Sequence, residues 1–430
     1  MEKNPKITAN DLEEHIREHD KLRLLLSVTR NISRELEIDR LLMLIMDEVK
    51  NALNCDRCSV FLVDREKGEL WSKVAHGEKE IRFPSHLGIA GYVASSGEIL
   101  NIKDAYADYR FNPDIDRKTG YKTFNMLNAP LRNQKGEIIG VFQTLNKKGG
   151  AFTVDDEELL SAIAVLSASQ IENAQLYEEQ RKTFDSFVET LASTIDARDP
   201  LTSGHSQRIT MYAEEIGKLV DLDDQEQRVL RISSLLHDYG KIAIRESILT
   251  KASELTQQEY EHIKEHPNFT KSILERINFS RDLADVPLIA SSHHEKLDGS
   301  GYPKGLKGDD IPKLSRIIAV ADIFDALSSR RHYRDRMPLA DIFALLHKEA
   351  GSKYDAVFIE ALQRMRLDKL VLILEQDDIG QPDQQNLQYL EKFTINDLLD
   401  AIKTHVDSEL VTGFEKYYLR NYLERPGSKL

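Results

Sequence analysis

The chain has 430 residues, of which 41% are hydrophobic and 30% charged, with a formal net charge of −14. Such a length predicts two or three domains, each large enough for its own core, and the composition is that of an ordinary globular protein. The acidic balance without a sustained basic stripe argues against DNA binding, and no apolar run reaches the roughly 18–20 residues of a bilayer span. With no secretory pattern in Met1-Glu2-Lys3-Asn4-Pro5, a cytoplasmic protein without membrane insertion is expected.

Residues 1–30 read as an N-terminal helical segment. Leu22 to Arg34 and Ile38 to Leu53 have helical spacing, and Ser59–Val63, Leu70–Ala75 and Ile138–Leu145 read as strands separated by turns at Lys67-Gly68, Gly77 and Lys135-Gly136. The only cysteines, Cys55 and Cys58, form a solitary Cys-x-x-Cys with no second pair to complete a zinc ribbon. Because Cys58 leads into a strand-like run, packed core cysteines are expected.

Three features of this half carry a resemblance: Cys55-Asp56-Arg57-Cys58-Ser59-Val60-Phe61-Leu62-Val63-Asp64, Gly88-Ile89-Ala90-Gly91-Tyr92-Val93, and the hairpin from Pro130-Leu131 to Gly140-Val141. From about Ile32 to Ala174 the chain resembles a GAF domain, assigned here to residues 31–177, which implies an α+β sensor with an antiparallel sheet and flanking helices. Asn146-Lys147, Phe152 and Asp156-Glu157 resemble the Asn-Lys-Phe-Asp-Glu pattern of GAF domains that bind cyclic nucleotides. That likeness implies a pocket at Asn146, Lys147, Phe152 and Asp156 with a cyclic nucleotide as one candidate occupant. Another small-molecule effector, or no ligand and a dimerising role, are the alternatives. Lys147 and Asp156 can also form an ion pair that closes the fold without touching a ligand.

Between Gly150 and Pro200 there is neither glycine nor proline, and strong helix formers predominate. A connecting helix of about 60 Å is expected at 1.5 Å per residue. Leu160, Ile163, Ser167, Gln170, Ala174, Tyr177, Arg181, Phe184, Val188, Leu191 and Ile195 follow a 3,4 spacing whose polar interruptions suit an adjustable parallel homodimer. The competing reading is that this face packs on its own domain.

Eight of the thirteen histidines fall between His205 and His347, about a third of the sequence. Val229-Leu230-Ile232-Leu235-Leu236 has helical periodicity, so His237 and Asp238 stand at the end of an apolar helix, where charge is costly unless paired or coordinated. Mixed imidazole and carboxylate donors without thiolates suit iron, manganese, nickel or zinc rather than calcium. Asp238 is the natural bridge between two ions, which would clamp a phosphodiester and hold a hydroxide as nucleophile. His262, four residues before His266, reads as a solvated-face histidine, as do His332, His347 and His405.

The order of these segments carries a second resemblance. Arg198-Asp199-Pro200 with Thr202 and Gly204-His205-Ser206, Leu235-Leu236-His237-Asp238-Tyr239-Gly240-Lys241, Lys264-Glu265-His266-Pro267, His293-His294-Glu295 with Asp298-Gly299-Ser300-Gly301-Tyr302-Pro303, and Ala319-Val320-Ala321-Asp322 have the residue order of HD-GYP phosphodiesterases. The likeness runs from about Arg198 to Leu362, and an all-α domain is assigned to residues 178–367. It implies a two-metal centre on His205, His237, Asp238, His266, His293, His294 and Asp322, with iron or manganese ahead of nickel or zinc. Catalytic roles fall to Asp238 and Lys241, and substrate contacts to Lys241, Tyr302, Arg331 and Arg334. Glu295 and Asp298 are candidates for orienting the histidines. Leu201 stands where some members carry a carboxylate for a third metal, so two ions are expected. Arg245-Glu246, Asn268-Phe269 and His332 also depart from the pattern, at positions bordering the cleft.

Residues 368–430 read as a helical C-terminal extension of unassigned role, with a polar connector at Asp377 to Asn386 and short amphipathic helices at Ile395–Val406 and Phe414–Leu423. The whole reads as a multidomain sensory enzyme that hydrolyses cyclic di-GMP to linear pGpG, and onward to GMP as a further step, under control of the GAF domain. Hydrolysis of another cyclic dinucleotide, or a low-turnover cyclic-dinucleotide receptor, are the alternatives.

Overall fold

The computed structural model describes residues 9–72, 81–198, 204–251, 253–329, 336–375, 384–404 and 408–418. It divides into two compact units, Met1–Thr183 and Phe184–Leu430.

The first unit is built on a six-stranded antiparallel sheet. Its strands are β1 (Cys55–Asp64), β2 (Glu69–Ser72), β3 (Ile81–Pro84), β4 (Leu100–Ile102), β5 (Met126–Arg132) and β6 (Ile138–Lys147), in the order β3-β2-β1-β6-β5-β4. Period-2 alternation sorts the side chains to two faces. Val60 and Leu62 of β1, Leu127, Ala129 and Leu131 of β5 and Phe142 of β6 join one core with the helices Ala9–Ile32, Ile38–Ala52 and the first part of Val154–Arg198. Phe61 and Val141 face the other way and pack with Leu70, Ala90 and Val93. The expected helix at Leu22 begins earlier, at Ala9, and Val28 and Ile32 at its end belong to the core. Part of the expected strand at Leu70–Ala75 lies outside the described residues, as does Gly77. The short strands β3 and β4 were not expected from sequence. Cys55 is buried, Cys58 half-buried, and both are free, with burial pushing the Cys55 thiol up to about 11.

The long helix spans Val154–Arg198. Leu160, Ile163 and Ala174 belong to the core of the first unit, whereas Val188 belongs to that of the second, with Phe184 and Leu191 packed against it. Both ends of the 3,4 seam are thus engaged within their own units. Tyr177 and Arg181, between them, are exposed.

The second unit is helical. His205–Leu219 packs against Asp224–Leu236 and Lys313–Ser328, and His266–Leu274 packs against Val286–Ser291 and the 3-10 turn Tyr239–Ala243. Local chemistry starts these helices where the site needs them. Asp223 and Glu226 form a capping box ahead of Asp224–Leu236, and Pro267 and Pro287 occupy first-turn positions where a missing N–H costs nothing. Lys313–Ser328 runs through the centre with Ile317, Ile318, Val320, Ala321 and Phe324 buried.

The C-terminal segments are part of the same core. Leu390, Ile395, Leu398, Leu410 and Phe414 are buried in one cluster with Ile317, Leu346 and Leu370. The two expected amphipathic helices appear as Ile395–Thr404 and Ser408–Tyr418, and most of the expected connector lies outside the described residues. Leu398→Ala is therefore expected to destabilise the second unit by about 2–5 kcal/mol, the cost of a buried leucine truncation. Denaturant unfolding of the full chain followed by circular dichroism checks this; an unchanged midpoint for the second unit would show that the extension is not structural.

Candidate metal centre

Four histidines reach one carboxylate from two helix starts, His205 and His266, and two helix ends, His237 and His293. Asp238 follows the helix Asp224–Leu236 in a tight turn, and its side chain is almost fully buried. Its Oδ1 lies 3.1 Å from His266 Nε2 and 3.9 Å from His293 Nε2. The other oxygen, Oδ2, lies 3.4 Å from His237 Nε2 and 3.8 Å from His205 Nε2. The two oxygens of one carboxylate therefore face two donor groups: Asp238 with His266, His293 and His294, and Asp238 with His205 and His237. Asp322 reaches a histidine of each group, its Oδ1 3.5 Å from His205 Nε2 and its Oδ2 3.8 Å from His294 Nδ1. All seven residues expected to converge are brought together, although neither donor group includes Asp322 itself.

The rings are aimed by their other nitrogens. His237, His266 and His293 each donate Nδ1–H to the backbone carbonyl three residues back, of Ser234, Ile263 and Ala290, at 2.7, 2.8 and 2.6 Å. In the neutral ring that contact places the proton on Nδ1 and leaves Nε2, turned toward Asp238, as the lone-pair donor. Desolvation holds the His293 and His294 imidazoles well below their ordinary range, in the neutral form that coordinates metal. Burial also opposes charge on Asp238, but Lys241 and the surrounding imidazoles keep it ionised well below the usual carboxylate range. His237 feels the converse balance: burial disfavours its charge, yet Asp238 and Asp322 lift it to about 9. This field favours positive charge between the carboxylates, and the donor set, imidazole nitrogen with shared carboxylate oxygen, fits two divalent transition-metal ions.

Lys241 lies beside the centre, its Nζ 2.8 Å from Asp238 Oδ2. Tyr302 packs its ring on His294, centroids 4.6 Å apart, with Lys264 Nζ 5.4 Å from the Tyr302 ring centroid. Burial and the nearby carboxylates push the Tyr302 phenol up, so it remains a protonated donor. Arg331 and Arg334 lie outside the described residues, as do His332 and His405.

Two expected supporting roles are corrected. Glu295 does not orient a histidine: its buried carboxylate accepts hydrogen bonds from the backbone N–H of Lys304 and Leu306, at 2.8 and 2.9 Å, and so fixes the loop after Pro303. Asp298 accepts from the Ser300 N–H and closes the turn before Gly301. His262 is likewise no solvated-face residue; it is half-buried against the Phe269 ring, and its Nε2 is buried.

Other contributors were not read from the sequence. Asp325 accepts from His205 Nδ1, and Arg208 and Ser329 converge on the same carboxylate. Their spacing was visible: Asp325 is three residues beyond Asp322, and Arg208 three beyond His205, so each shares a helix face with a site residue. Thr270 Oγ1 accepts from Gly240 N–H and donates to the His237 carbonyl, locking the turn after Asp238 onto the helix that carries His266.

In the first unit the four expected pocket residues are engaged in the fold itself. Asn146 accepts from the Phe124 N–H at 2.7 Å and donates to the Lys122 carbonyl, pinning the loop before β5. Lys147 Nζ lies 2.5 Å from Asp156 Oδ1, while Asp156 Oδ2 accepts from the Thr153 N–H and caps the long helix. Phe152 is a core residue.

Residues 189–357 match the HD domain family and residues 37–171 the GAF domain family. The chain carries a GAF domain followed by an HD domain. Over 216 residues it is 34% identical to 3'3'-cGAMP-specific phosphodiesterase 3 of Vibrio cholerae serotype O1, covering 49% of this chain and 46% of that protein. It is 38% identical over 208 residues to 3'3'-cGAMP-specific phosphodiesterase 2 of the same organism, with 48% and 40% covered. A third relative, the cyclic di-GMP phosphodiesterase response regulator RpfG of Xanthomonas campestris pv. campestris, is 38% identical over 192 residues, with 45% and 50% covered. The chain spans half or less of the length of these curated relatives. No helix among the described residues is long and apolar enough to cross a membrane.

The close approach of the HD turn to its neighbour yields a test. A Cβ on Gly240 would lie 2.0 Å from the His266 carbonyl oxygen and 2.4 Å from the Thr270 nitrogen, both backbone atoms. Gly240→Ala is expected to cost the HD domain about 1–3 kcal/mol through overpacking. Its thermal midpoint reports this directly, and an unshifted midpoint would contradict the packing described.

Proposed function

We propose that this chain is a sensory, metal-dependent phosphodiesterase that hydrolyses cyclic di-GMP to linear pGpG, and then GMP, under control of its GAF domain. The observation that carries the proposal is the buried Asp238 carboxylate with a separate histidine group on each oxygen. His205, His237 and Asp238 would hold one ion, and Asp238, His266, His293 and His294 the other, with Asp322 between them. When bound, divalent ions supply charge stabilisation for the phosphate and lower the pKa of a water nucleophile.

The protein's own groups prepare that chemistry. Burial keeps His293 and His294 neutral, and the lysine beside Asp238 keeps the carboxylate ionised. Hydrolysis adds water across one P–O3′ bond of the ring: the new hydroxyl stays on phosphorus and the proton goes to the departing 3′-oxygen. Lys241 and, by their sequence positions, Arg331 and Arg334 are the proposed phosphate contacts, which a chain of net charge −14 must supply locally. Tyr302, stacked on His294, forms a wall on which a base or ribose can rest. The relatives named as 3'3'-cGAMP-specific support a second reading, hydrolysis of that mixed dinucleotide.

The test is turnover of cyclic di-GMP and 3'3'-cGAMP by the full chain, purified anaerobically and supplied with Fe²⁺ or Mn²⁺, with products separated by chromatography. Asp238→Ala is expected to lose more than about 100-fold in rate, beyond the 10–100-fold cost of removing an outer partner of a metal ligand. Preference for 3'3'-cGAMP would favour the second reading. Equal, negligible rates for wild type and variant, with the dinucleotide still bound, would replace the enzyme by a receptor.

A further inference from the structure

His205 differs from the other histidines of the centre in what holds it. His237, His266 and His293 each donate Nδ1–H to a backbone carbonyl, a neutral acceptor. His205 donates instead to a carboxylate, Asp325 Oδ2 at 2.8 Å, and Asp325 is almost fully buried. The same carboxylate receives Arg208 Nε at 2.8 Å on Oδ1, Arg208 Nη2 at 3.2 Å on Oδ2, and the Ser329 hydroxyl at 2.9 Å on Oδ1. These four hydrogen bonds fix the carboxylate in place, with the Arg208 guanidinium paired to it.

A charged acceptor on Nδ1–H raises electron density at Nε2 and strengthens the ring as a ligand, whereas a carbonyl does so less. His205 Nε2 faces Asp238 Oδ2 and Asp322 Oδ1. We infer that Asp325 is a positioning residue that orients and strengthens His205, so that the two proposed metal positions are unequal and the one beside His205 depends on a carboxylate outside the ligand set. The inference rests on the metal-centre reading above. It gives Asp325 a role distinct from ligation, because its oxygens are turned to Nδ1, the far side of the ring from the centre.

Manganese titration of metal-stripped full chain by calorimetry separates the possibilities. Wild type is expected to take up two ions; fewer would overturn the metal-centre reading itself. Asp325→Asn keeps an oxygen to accept Nδ1–H but removes the charge, and is expected to weaken one ion about 10–100-fold while the other stays within about twofold. Two ions bound as in wild type would overturn the role of Asp325. Arg208→Gln disrupts the same buried ion pair while leaving Asp325 on His205. It should lower the thermal midpoint yet retain both ions within about twofold, and a loss matching that of D325N would show that ion-pair stability alone is at work. In a His205→Gln background D325N should cause no further loss, and an additive loss would contradict action through His205. Should D325N fail to fold by circular dichroism, Asp325→Glu carries the same test: a selective weakening of one ion supports the role, and unchanged binding of both overturns it.

Discussion

The second unit of this protein is organised by one buried carboxylate. Asp238 stands where an apolar helix ends, and each of its oxygens faces imidazoles delivered by other helices. An ionised carboxylate in such a place is unfavourable unless it is surrounded by donors or cations. The surrounding architecture meets that demand in layers. Gly240 allows the turn after Asp238 to lie against the backbone of His266, Thr270 ties the two together, and the apolar helix Lys313–Ser328 interrupts its core-facing run with Asp322 and Asp325 on the same side.

Each layer constrains the next. The carbonyls of Ser234, Ile263 and Ala290 select the histidine tautomers without any dedicated side chain, because a ring three residues past a helical carbonyl can reach back to it. Loop residues behave differently from what their charge suggests. Glu295 and Asp298 satisfy backbone N–H groups of the glycine-rich loop, and that loop in turn places Tyr302 on His294. The site is therefore rigid in its imidazoles for helical reasons and in its aromatic wall for loop reasons.

Much of this was legible in the sequence because the ligands sit in short, separated segments with distinctive residue pairs, such as His237-Asp238 and His293-His294. The helix ahead of His237 was legible from 3.6-residue periodicity at Val229–Leu236. Asp325 was not, since a carboxylate inside a buried helix looks no different from Asp322 until its partner across the fold is known. β3 and β4 have four and three residues, too few for alternation to register. The C-terminal helices were recognisable as amphipathic, but the surface they cover is assembled from distant segments, so their membership of the core could not be read locally. Lys147 and Asp156 show the opposite case: their ion pair was foreseeable from the motif, and the structure engages both in the domain's own framework.

The central claim is most directly tested by anomalous scattering from crystals of the full chain grown with manganese. Two peaks about 3.5–4 Å apart, one on each oxygen of Asp238, are predicted. A single peak, or a pair that does not share Asp238, would contradict the account.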